Sequence, residues 1–370
     1  IAGSDWSSDV CSSDLEMKRI FALILAVLTV LCMAVGCKKQ EEKSSTPVSG
    51  SSTTAPAGKG YGKYNIANIY GTVTGDYWGI VFNGCMAALD ELKAGYGVDG
   101  YCMAPGNGND YTQQMDLIEA AVTKGVDGIV LSNSNADSIG AFITDFFNES
   151  NWTPIILIDR SLNSDSDVIV SKLMSPTYEM GQKEGALAIE ATGGKGNYVA
   201  LGIGPENQNW VDRSKGAMDY IKGNAPEMTS LTGEEPYWMA QVDEVQQLGF
   251  CQDIITANPG PMIFISSTEG YTNIAVAAIN ELSPERQAEI QIVGFDFSKT
   301  GMALIESDML YGSVGQNPYL MGYNAVYAMC DYLRDGKVEM NQIVPYTVVT
   351  KNNLESEEVK AYLASMKIDA

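Results

Sequence analysis

The pattern of hydrophobic and polar positions becomes regular after residue 64. Short apolar runs of strand length there alternate with longer amphipathic segments of helical length. The pattern predicts strands at residues 65–70, 100–103, 128–131, 154–158, 168–170, 198–202, 237–241, 262–265, 291–294 and 312–314. It predicts helices at residues 78–92, 111–124, 138–148, 177–191, 211–222, 242–257, 273–282, 300–307 and 320–334.

This alternation predicts parallel sheets, because neighbouring parallel strands are joined by a right-handed crossover that a helix can provide. Helices then cover both faces of each sheet. The number of strand–helix units exceeds what one sheet holds comfortably. The sequence therefore predicts an α/β fold with two similar doubly wound parallel-sheet lobes, separated by a break near residues 173–176.

A short basic start at residues 17–19 precedes an apolar run at residues 20–35 and then Cys37. This order is typical of a secretory signal, and the run is shorter than the ~18 to 20 residues that span a bilayer. The small residues before Cys37 resemble the lipobox of bacterial lipoproteins. That resemblance implies a signal peptide at residues 17–36 and a lipid anchor on Cys37. Cys32 is a rival anchor, but it lies inside the apolar run. The alternative of a buried helix is disfavoured by the flanking charges.

The segments on either side of this signal are not expected to join the folded core. Residues 1–16 lack an initiator methionine and repeat the letters Ser-Ser-Asp, so we expect a non-native, adapter-like segment. Residues 37–62 contain mostly Ser, Thr, Pro, Gly, Lys and Glu. Such a segment buries too little apolar surface to offset its ordering entropy, which predicts a flexible tether behind the lipidated cysteine. A polar loop packed on the domain is the alternative.

Composition narrows the classes of function. Removal of the signal leaves about 330 residues, which suits two domains of ordinary size. The net charge of -23 argues against a nucleic-acid partner, which needs a basic face. The chain contains no histidine, which excludes histidine-based catalytic triads and H-E-x-x-H metal sites. Enzyme function is weakened rather than excluded, because carboxylate pairs and lysine chemistry remain. We expect a protein that is not an enzyme and has no cofactor and no metal site.

The cysteines beyond the anchor do not form a recognisable framework. They are scattered singly, without a C-x-x-C pair, at Cys85, Cys102, Cys251 and Cys330. This spacing is a poor disulfide framework for an exported protein and gives no zinc site. We therefore expect four small core residues.

Polar and aromatic side chains follow several predicted strands at the point where each strand ends. In open parallel sheets, ligands bind beyond the carboxyl ends of the strands. Aromatic rings can cover the apolar faces of a sugar, Asp accepts from adjacent hydroxyls, and Arg, Asn and Gln donate to sugar oxygens. The strand ends therefore predict a carbohydrate site that contains Tyr77, Trp78, Asn133, Asp159, Arg160, Asp296 and Gln316.

Residues 64–351 resemble the sugar-binding proteins of bacterial ABC transporters, in the ribose- and galactose-binding group. The segments Ile-Ile-Leu-Ile-Asp-Arg at 155–160 and Ile-Val-Gly-Phe-Asp at 292–296 are similar to that family's most recognisable segments. Arg213 matches its Arg-x-x-Gly helix start, and Gln316 falls on its hinge-side glutamine. The resemblance implies the type I periplasmic-binding-protein fold, in which two lobes joined by a three-segment hinge close on the ligand.

The resemblance also implies domain boundaries. The N-terminal lobe would comprise residues 63–174 plus 317–346, and the C-terminal lobe residues 175–316 plus 347–370. The chain would cross between the lobes near residues 174–175, 316–317 and 346–347.

Two further features of the resemblance concern the site. The loop at 266–271 lies where the family often has Asn-Asp, which adds Ser267 to the expected ligand contacts. The second-lobe aromatic has no clean counterpart, and Trp210 and Trp238 are the candidates.

Each site residue also has a structural alternative. Asp159 and Arg160 could be a salt-bridged strand end, and Tyr77 and Trp78 could be a core aromatic pair. Asn133 and Gln316 could be ordinary turn residues. Arg213 at a helix start is electrostatically unfavourable, which favours a functional role over simple capping.

We therefore expect an extracytoplasmic, lipid-anchored, monomeric protein of the bacterial cell membrane that captures a monosaccharide and delivers it to an ABC permease. A sensor that presents the loaded form to a chemoreceptor or kinase is the alternative within binding proteins. A secreted glycosidase that uses Asp159 and Asp296 is the alternative from another class. Arg160 would lower the pKa of its neighbouring carboxyl and so suit a general acid badly.

Overall fold

The structure is a computed structural model that describes residues 60–72 and 76–366, with only the backbone at Asp76. The predicted adapter-like segment, signal peptide and lipidated Cys37 lie outside these residues. Within the described residues, no helix combines the length and the apolarity that crossing a membrane requires. Tyr61, which falls in the predicted tether, is buried and its hydroxyl donates to Asp331 (2.9 Å). The packed part of the chain therefore begins before residue 62.

The first sheet has six strands in the order β12-β5-β4-β3-β1-β2, and all neighbours are parallel. Its strands are β1 (Asn65–Ile69), β2 (Asp99–Met103), β3 (Gly128–Leu131), β4 (Ile155–Ile158), β5 (Ile169–Met174) and β12 (Asn341–Ile343).

The second sheet has seven strands, six of them in the order β13-β11-β10-β9-β6-β7, with β8 also paired to β6. Its strands are β6 (Gly196–Gly202), β7 (Met228–Ser230), β8 (Tyr237–Trp238), β9 (Met262–Ser266), β10 (Ile290–Phe295), β11 (Gly312–Gln316) and β13 (Tyr346–Thr350). Strand β13 runs antiparallel to β11, so the expectation of purely parallel sheets is wrong at this edge. The strand predicted at 237–241 is also corrected, because Met239–Gln241 form a 3-10 turn.

Helices cover both sheets, and most of them begin after a polar N-cap side chain that accepts a hydrogen bond from the first turn. The helices are α1 (Asp76–Tyr96), α2 (Tyr111–Thr123), α3 (Ala136–Phe146), α4 (Thr177–Thr192), α5 (Gln208–Asn224), α6 (Glu244–Ala257), α7 (Glu269–Asn280), α8 (Pro284–Gln287), α9 (Lys299–Glu306), α10 (Pro318–Asp335) and α11 (Glu357–Ser365).

The apolar run of β4 shows why such strands lie at the centre of a covered sheet. Its side chains alternate between faces, so Ile156 and Ile158 pack in one hydrophobic cluster while Ile155 and Leu157 pack in another. All four are fully buried. Full burial of one such side chain contributes about 1.5 to 3 kcal/mol relative to exposure.

The first lobe is built on the first sheet and the second lobe on the second sheet. Each lobe contains a close helix–helix crossing made by a pair of glycines. In the first lobe, a Cβ added at Gly84 of α1 would collide with the backbone of α10, and one at Gly322 of α10 would collide with α1. In the second lobe, Gly181 of α4 and Gly216 of α5 have the same reciprocal relationship. Only glycine permits backbones to approach this closely, and the repeated crossing supports the similarity of the two lobes.

The chain passes between the two sheets three times. The first passage follows β5, the second lies at Asn317 between β11 and α10, and the third lies between β12 and β13. Helix α10 packs on α1 of the first lobe, which makes the middle passage a crossing between lobes. The cleft between the lobes therefore lies beside three connecting segments.

Candidate functional site

Asp159 and Asp296 occupy equivalent positions in the two lobes. Asp159 follows β4 directly and Asp296 follows β10 directly. Both have left-handed backbone conformations, with φ of 62° and 67°. Asp tolerates this region better than β-branched residues do, because its short side chain can bond locally. The reversal of the chain after each buried strand places both carboxylates at the cleft edge of their sheets.

Tyr77 and Trp78, adjacent in the first turn of α1, have different environments. The hydroxyl of Tyr77 donates to Asp159 Oδ1 at 2.8 Å. Burial, followed by the charges of Asp159 and Asp296, raises the pKa of Tyr77 well above its usual value, so this hydroxyl remains a donor. Trp78 is buried in the core of the first lobe and packs against Tyr70. The side chain of Tyr77 therefore faces the cleft, whereas the side chain of Trp78 packs in the hydrophobic core of the first lobe.

Arg160 is held by contacts from several loops of the first lobe. Its Nη1 donates to Asn109 Oδ1 (3.2 Å) and to the Asn133 carbonyl (3.1 Å). Its Nε lies 3.6 Å from Asp159 Oδ2 and is buried without a hydrogen-bond partner. Its guanidinium also lies 5.7 Å from the ring centroid of Trp210, in the second lobe. Arg160 therefore keeps one donor available at a site that both lobes border.

Asn133 braces the loop after β4. It is almost fully buried, and its Nδ2 donates to the carbonyls of Arg160 (3.1 Å) and Ser161 (2.9 Å). Its amide nitrogen is therefore occupied by the backbone that carries Arg160. This residue acts on the site through Arg160.

Arg213 lies in the second turn of α5, because this helix begins at Gln208. The expected position at a helix start is therefore wrong, and the unfavourable helix-dipole term is correspondingly small. Its Nη1 donates to the Ser267 carbonyl at 2.7 Å, and its guanidinium stacks 3.6 Å from the ring centroid of Phe295. Its Nε is buried without a hydrogen-bond partner. Stacking and one fixed bond hold the group in place and leave this donor available.

Ser267 contributes through its backbone. Its hydroxyl donates to the Leu201 carbonyl at 2.7 Å, and its own carbonyl accepts from Arg213. The side chain is buried. Ser267 therefore links β6 to Arg213 and orients that guanidinium.

Gln316 and Asp296 form the hinge side of the site. The Nε2 of Gln316 donates to Asp296 Oδ1 at 2.8 Å, and its Oε1 is buried without a partner. The carbonyl of Gln316 accepts from the hydroxyl of Tyr362 at 2.7 Å, which fixes the end of β11. Burial raises the pKa of Asp296, while the charge of Arg213 and the Gln316 hydrogen bond oppose that rise.

A cavity of about 380 Å³ opens beside this hinge-side pair. Its walls include Tyr77, Glu269, Asp296, Ser298, Gln316 and Pro318. Asp159, Arg160 and Arg213 are not among its lining residues, so the open volume extends from the hinge side of the site toward the start of α7. Trp78, Asn133 and Ser267 also lie outside its walls.

Sequence reasoning missed several residues at this site, among them Asn209 and Glu184. Asn209 of α5 donates from its side-chain amide to the Asp159 carbonyl, which joins the second lobe to the first. Glu184 of α4 is fully buried, and neither of its carboxyl oxygens has a hydrogen-bond partner. Burial raises the pKa of Glu184 well above its usual value; the charge of Arg213 opposes this rise and that of Asp296 adds to it. A carboxyl on the apolar face of a predicted helix was the available signal for Glu184.

The second-lobe aromatics are also separated by the structure. Trp210 of α5 lies beside Arg160 at the cleft. Trp238 packs against Gly202 at the end of β6. Of the two candidates, Trp210 is the one placed next to a predicted site residue.

The arrangement therefore brings two carboxylates, two arginines, an amide and a tyrosine together from both lobes. Arg160 Nε, Arg213 Nε and Gln316 Oε1 are buried polar atoms without a hydrogen-bond partner in the protein, and Arg160 Nε lies 3.6 Å from Asp159 Oδ2. Buried polar groups are usually paired, so unpartnered donors and an acceptor in one place indicate a site for a polar ligand. Within the described residues, groups of three or more cysteine, aspartate or glutamate side chains suited to a metal ion are absent.

Residues 66–337 match the family model described as periplasmic binding protein domain. This match spans more than half of the chain, which belongs to this family.

Curated relatives extend this result. The D-apiose import binding protein of Paraburkholderia graminis is 26% identical over 248 residues, covering 66% of this chain and 76% of the relative. The ribose import binding protein RbsB of Bacillus subtilis is 23% identical over 244 residues, covering 66% of this chain and 75% of the relative.

Solved structures show the same fold. An ABC transporter solute binding protein from Agrobacterium vitis with bound D-fucose superposes with a TM-score of 0.68 at 24% identity. The alignment covers 80% of this chain and 98% of that chain. The predicted fold of two α/β lobes of the type I periplasmic-binding-protein kind is confirmed.

Proposed function

We propose that this chain is an extracytoplasmic solute-binding protein that captures a monosaccharide between its two lobes and delivers it to an ABC permease. One observation carries the proposal. Arg160 and Arg213, from different lobes, each keep a buried Nε without a hydrogen-bond partner beside the carboxylates of Asp159 and Asp296.

A small polyol ring suits this set of groups. Its hydroxyls can donate to Asp159 and Asp296 and accept from the two arginine Nε groups. Gln316 Oε1 can accept one further hydroxyl, and the ring of Tyr77 can cover an apolar face. A hydroxyl that is missing or inverted leaves one of these buried groups unpaired, at a cost of about 1 to 3 kcal/mol. The site therefore discriminates between sugars by their stereochemistry.

The relatives support the chemical class of the ligand. Two of them are named for the import of the sugars D-apiose and ribose, and the structural neighbour from Agrobacterium vitis holds D-fucose. These are small monosaccharides. The cavity of about 380 Å³ on the hinge side of the site, whose walls include Tyr77, Asp296 and Gln316, has room for a ligand of that size.

Closure of the lobes would signal occupancy to the permease. The N-terminal lobe, residues 63–174 plus 317–346, would move against the C-terminal lobe, residues 175–316 plus 347–370, about the three connecting segments. The bond from Asn209 to the Asp159 carbonyl supports this proposal, because it joins the two lobes directly across the cleft.

We further propose that the protein is a monomer, held at the outer side of the cell membrane by a lipid on Cys37. The family places it outside the cytoplasm. Globomycin treatment of expressing cells tests the anchor, since it should leave the signal peptide attached to the protein. Release of a soluble, normally processed protein from treated cells would contradict the lipid anchor.

A thermal-shift screen tests the binding function. The protein is heated alone and with each member of a panel of pentoses, hexoses and polyols. A ligand present at 100 times its Kd adds about 2.7 kcal/mol, which predicts a rise in Tm of several degrees for one sugar or a small group. An unchanged Tm across the whole panel at millimolar concentration contradicts the proposal. Amino acids and nucleosides serve as control ligands of other classes.

A further inference from the structure

Two cysteines of the first lobe, which no sequence motif pairs, are in contact. The Sγ of Cys85, on α1, lies 3.1 Å from the Sγ of Cys102, on β2. A disulfide bond is about 2.05 Å long, so the two sulfurs need to approach by only about 1 Å to bond. All four cysteines pack in or against a hydrophobic core, as expected, and two of them are also in mutual contact.

The two thiols differ in access. Cys85 is fully buried in the hydrophobic core of the first lobe. Cys102 is only partly buried, and its strand is the last strand at one edge of the sheet. A reagent can therefore reach Cys102 first, because Cys85 is more deeply buried.

Their chemistry matches this order. Burial raises the pKa of the Cys85 thiol well above its usual value, and its contact with Cys102 adds to the effect. Cys85 is therefore a poor first nucleophile, because the reactive species is the thiolate. Its close position makes it effective in the second, intramolecular step.

We propose that Cys85 and Cys102 are a disulfide-forming pair, oxidised outside the cytoplasm by exchange with a small-molecule or protein disulfide. The Cys102 thiolate attacks one sulfur of the reagent, breaks its S–S bond and releases one thiolate. Cys85 then loses its proton and attacks the Cys102 sulfur, which releases the second thiolate. The reagent gains two electrons and two protons, and the protein gains one S–S bond. Disulfides persist in oxidising compartments, which suits an exported protein.

This bond would act on the support of the binding site and goes beyond sugar capture. Helix α1 carries Tyr77 at its first turn and Cys85 about two turns later. The hydroxyl of Tyr70 lies near both thiols, and its ring packs against Trp78, with ring centroids 5.9 Å apart. A disulfide would therefore tie α1 to the edge strand behind the aromatic side of the site.

Peptide mapping tests the bond directly. The full-length protein is incubated with oxidised glutathione, quenched in acid, alkylated, and digested with trypsin without reduction. Cleavage after Lys63, Lys93 and Lys124 places Cys85 in peptide 64–93 and Cys102 in peptide 94–124. We expect these two peptides to be linked, with a mass about 2 Da below their sum. Recovery of both peptides separately, with both thiols alkylated or each bound to glutathione, overturns the proposal.

The other buried cysteines and two variants separate a specific bond from general oxidation. Cys251 and Cys330 are buried thiols, and burial raises the pKa of each to about 12. Their peptides should remain unlinked, and Cys330→Ser should leave the 64–93 to 94–124 link intact. Cys102→Ser should abolish the link.

Reduction of the oxidised wild type should lower its Tm by about 5 °C and leave the Tm of Cys102→Ser unchanged. Equal responses to reduction in both proteins contradict a bond between Cys85 and Cys102.

Discussion

Asn209, in the first turn of α5 in the second lobe, donates from its side-chain amide to the carbonyl of Asp159 in the first lobe. The accepting residue is also the one whose carboxylate accepts from Tyr77. Asp159 therefore contacts Tyr77 of the site through its side chain and makes the contact between the lobes through its backbone carbonyl.

Replacement of Asn209 by alanine should weaken sugar binding about 2- to 13-fold, because closure loses one hydrogen bond worth about 0.5 to 1.5 kcal/mol. Titration calorimetry with the sugar found by screening measures the change. The matched control is Asn224→Ala at the other end of the same helix, where the amide donates to the Tyr220 carbonyl of its own helix. A loss of affinity that is equal in the two variants would remove the role of the contact between lobes.

Substitutions at Tyr77 and Trp78 should separate an effect on sugar binding from an effect on protein stability. Tyr77→Phe removes the hydroxyl that donates to Asp159 and should weaken sugar binding several-fold, with little change in Tm. Trp78→Ala creates a cavity in the first-lobe core and should destabilise the protein by about 3 to 5 kcal/mol. Chemical denaturation and calorimetry on both variants check the pair. The opposite assignment, with a large loss of stability only in Tyr77→Phe, contradicts the environments described above.

Glu184 predicts an unusual dependence of stability on pH. Its pKa is raised in the folded protein, so the folded state favours the neutral carboxyl. That stability is fully present below the usual Glu pKa of about 4.3 and is lost as the pH rises toward the folded pKa, by up to about 1.4 kcal/mol per pH unit.

Glu184→Gln removes this loss, because a neutral amide replaces the carboxyl. The variant should match the wild type near pH 4 and become increasingly more stable above it, as measured by Tm from pH 4 to 8. Asp296 shifts in the same direction and is present in both proteins, so its own shift contributes to both curves. Glu190→Gln, at an exposed position of the same helix, is the control and should follow the wild type. Parallel curves for Glu184→Gln and wild type would contradict the buried, neutral state.

Much of the fold follows from the local pattern. The four apolar residues of β4 predict a strand covered on both faces, and the structure places them in two cores. Strand β12 carries no such signal, because Asn341–Ile343 is short, largely exposed and paired only at the sheet edge. Strand β13 differs, because Tyr346–Thr350 is rich in β-branched residues and alternates in burial, and only its antiparallel place beside β11 depends on topology.

The site was predictable where it coincides with strand ends. Asp159 and Asp296 each follow an apolar run, so their shared edge can be inferred from the sequence. Asn209 could not be found in this way, because its partner belongs to the other lobe. Glu184 is buried in a helix that packs closely on α5 at its glycines. Its role depends on helix packing that periodicity does not specify.

The most direct test of the central claim is calorimetric titration of Arg160→Ala and Asp296→Ala with the sugar identified by screening. Each variant removes a charged group from one lobe and should weaken binding by about 2 to 4 kcal/mol, or roughly 30- to 1,000-fold. Glu227→Gln, at an exposed ion pair with Lys195, should bind like the wild type. Unchanged affinity in both site variants, with unfolding temperatures like that of the wild type, would contradict a sugar site between the two lobes.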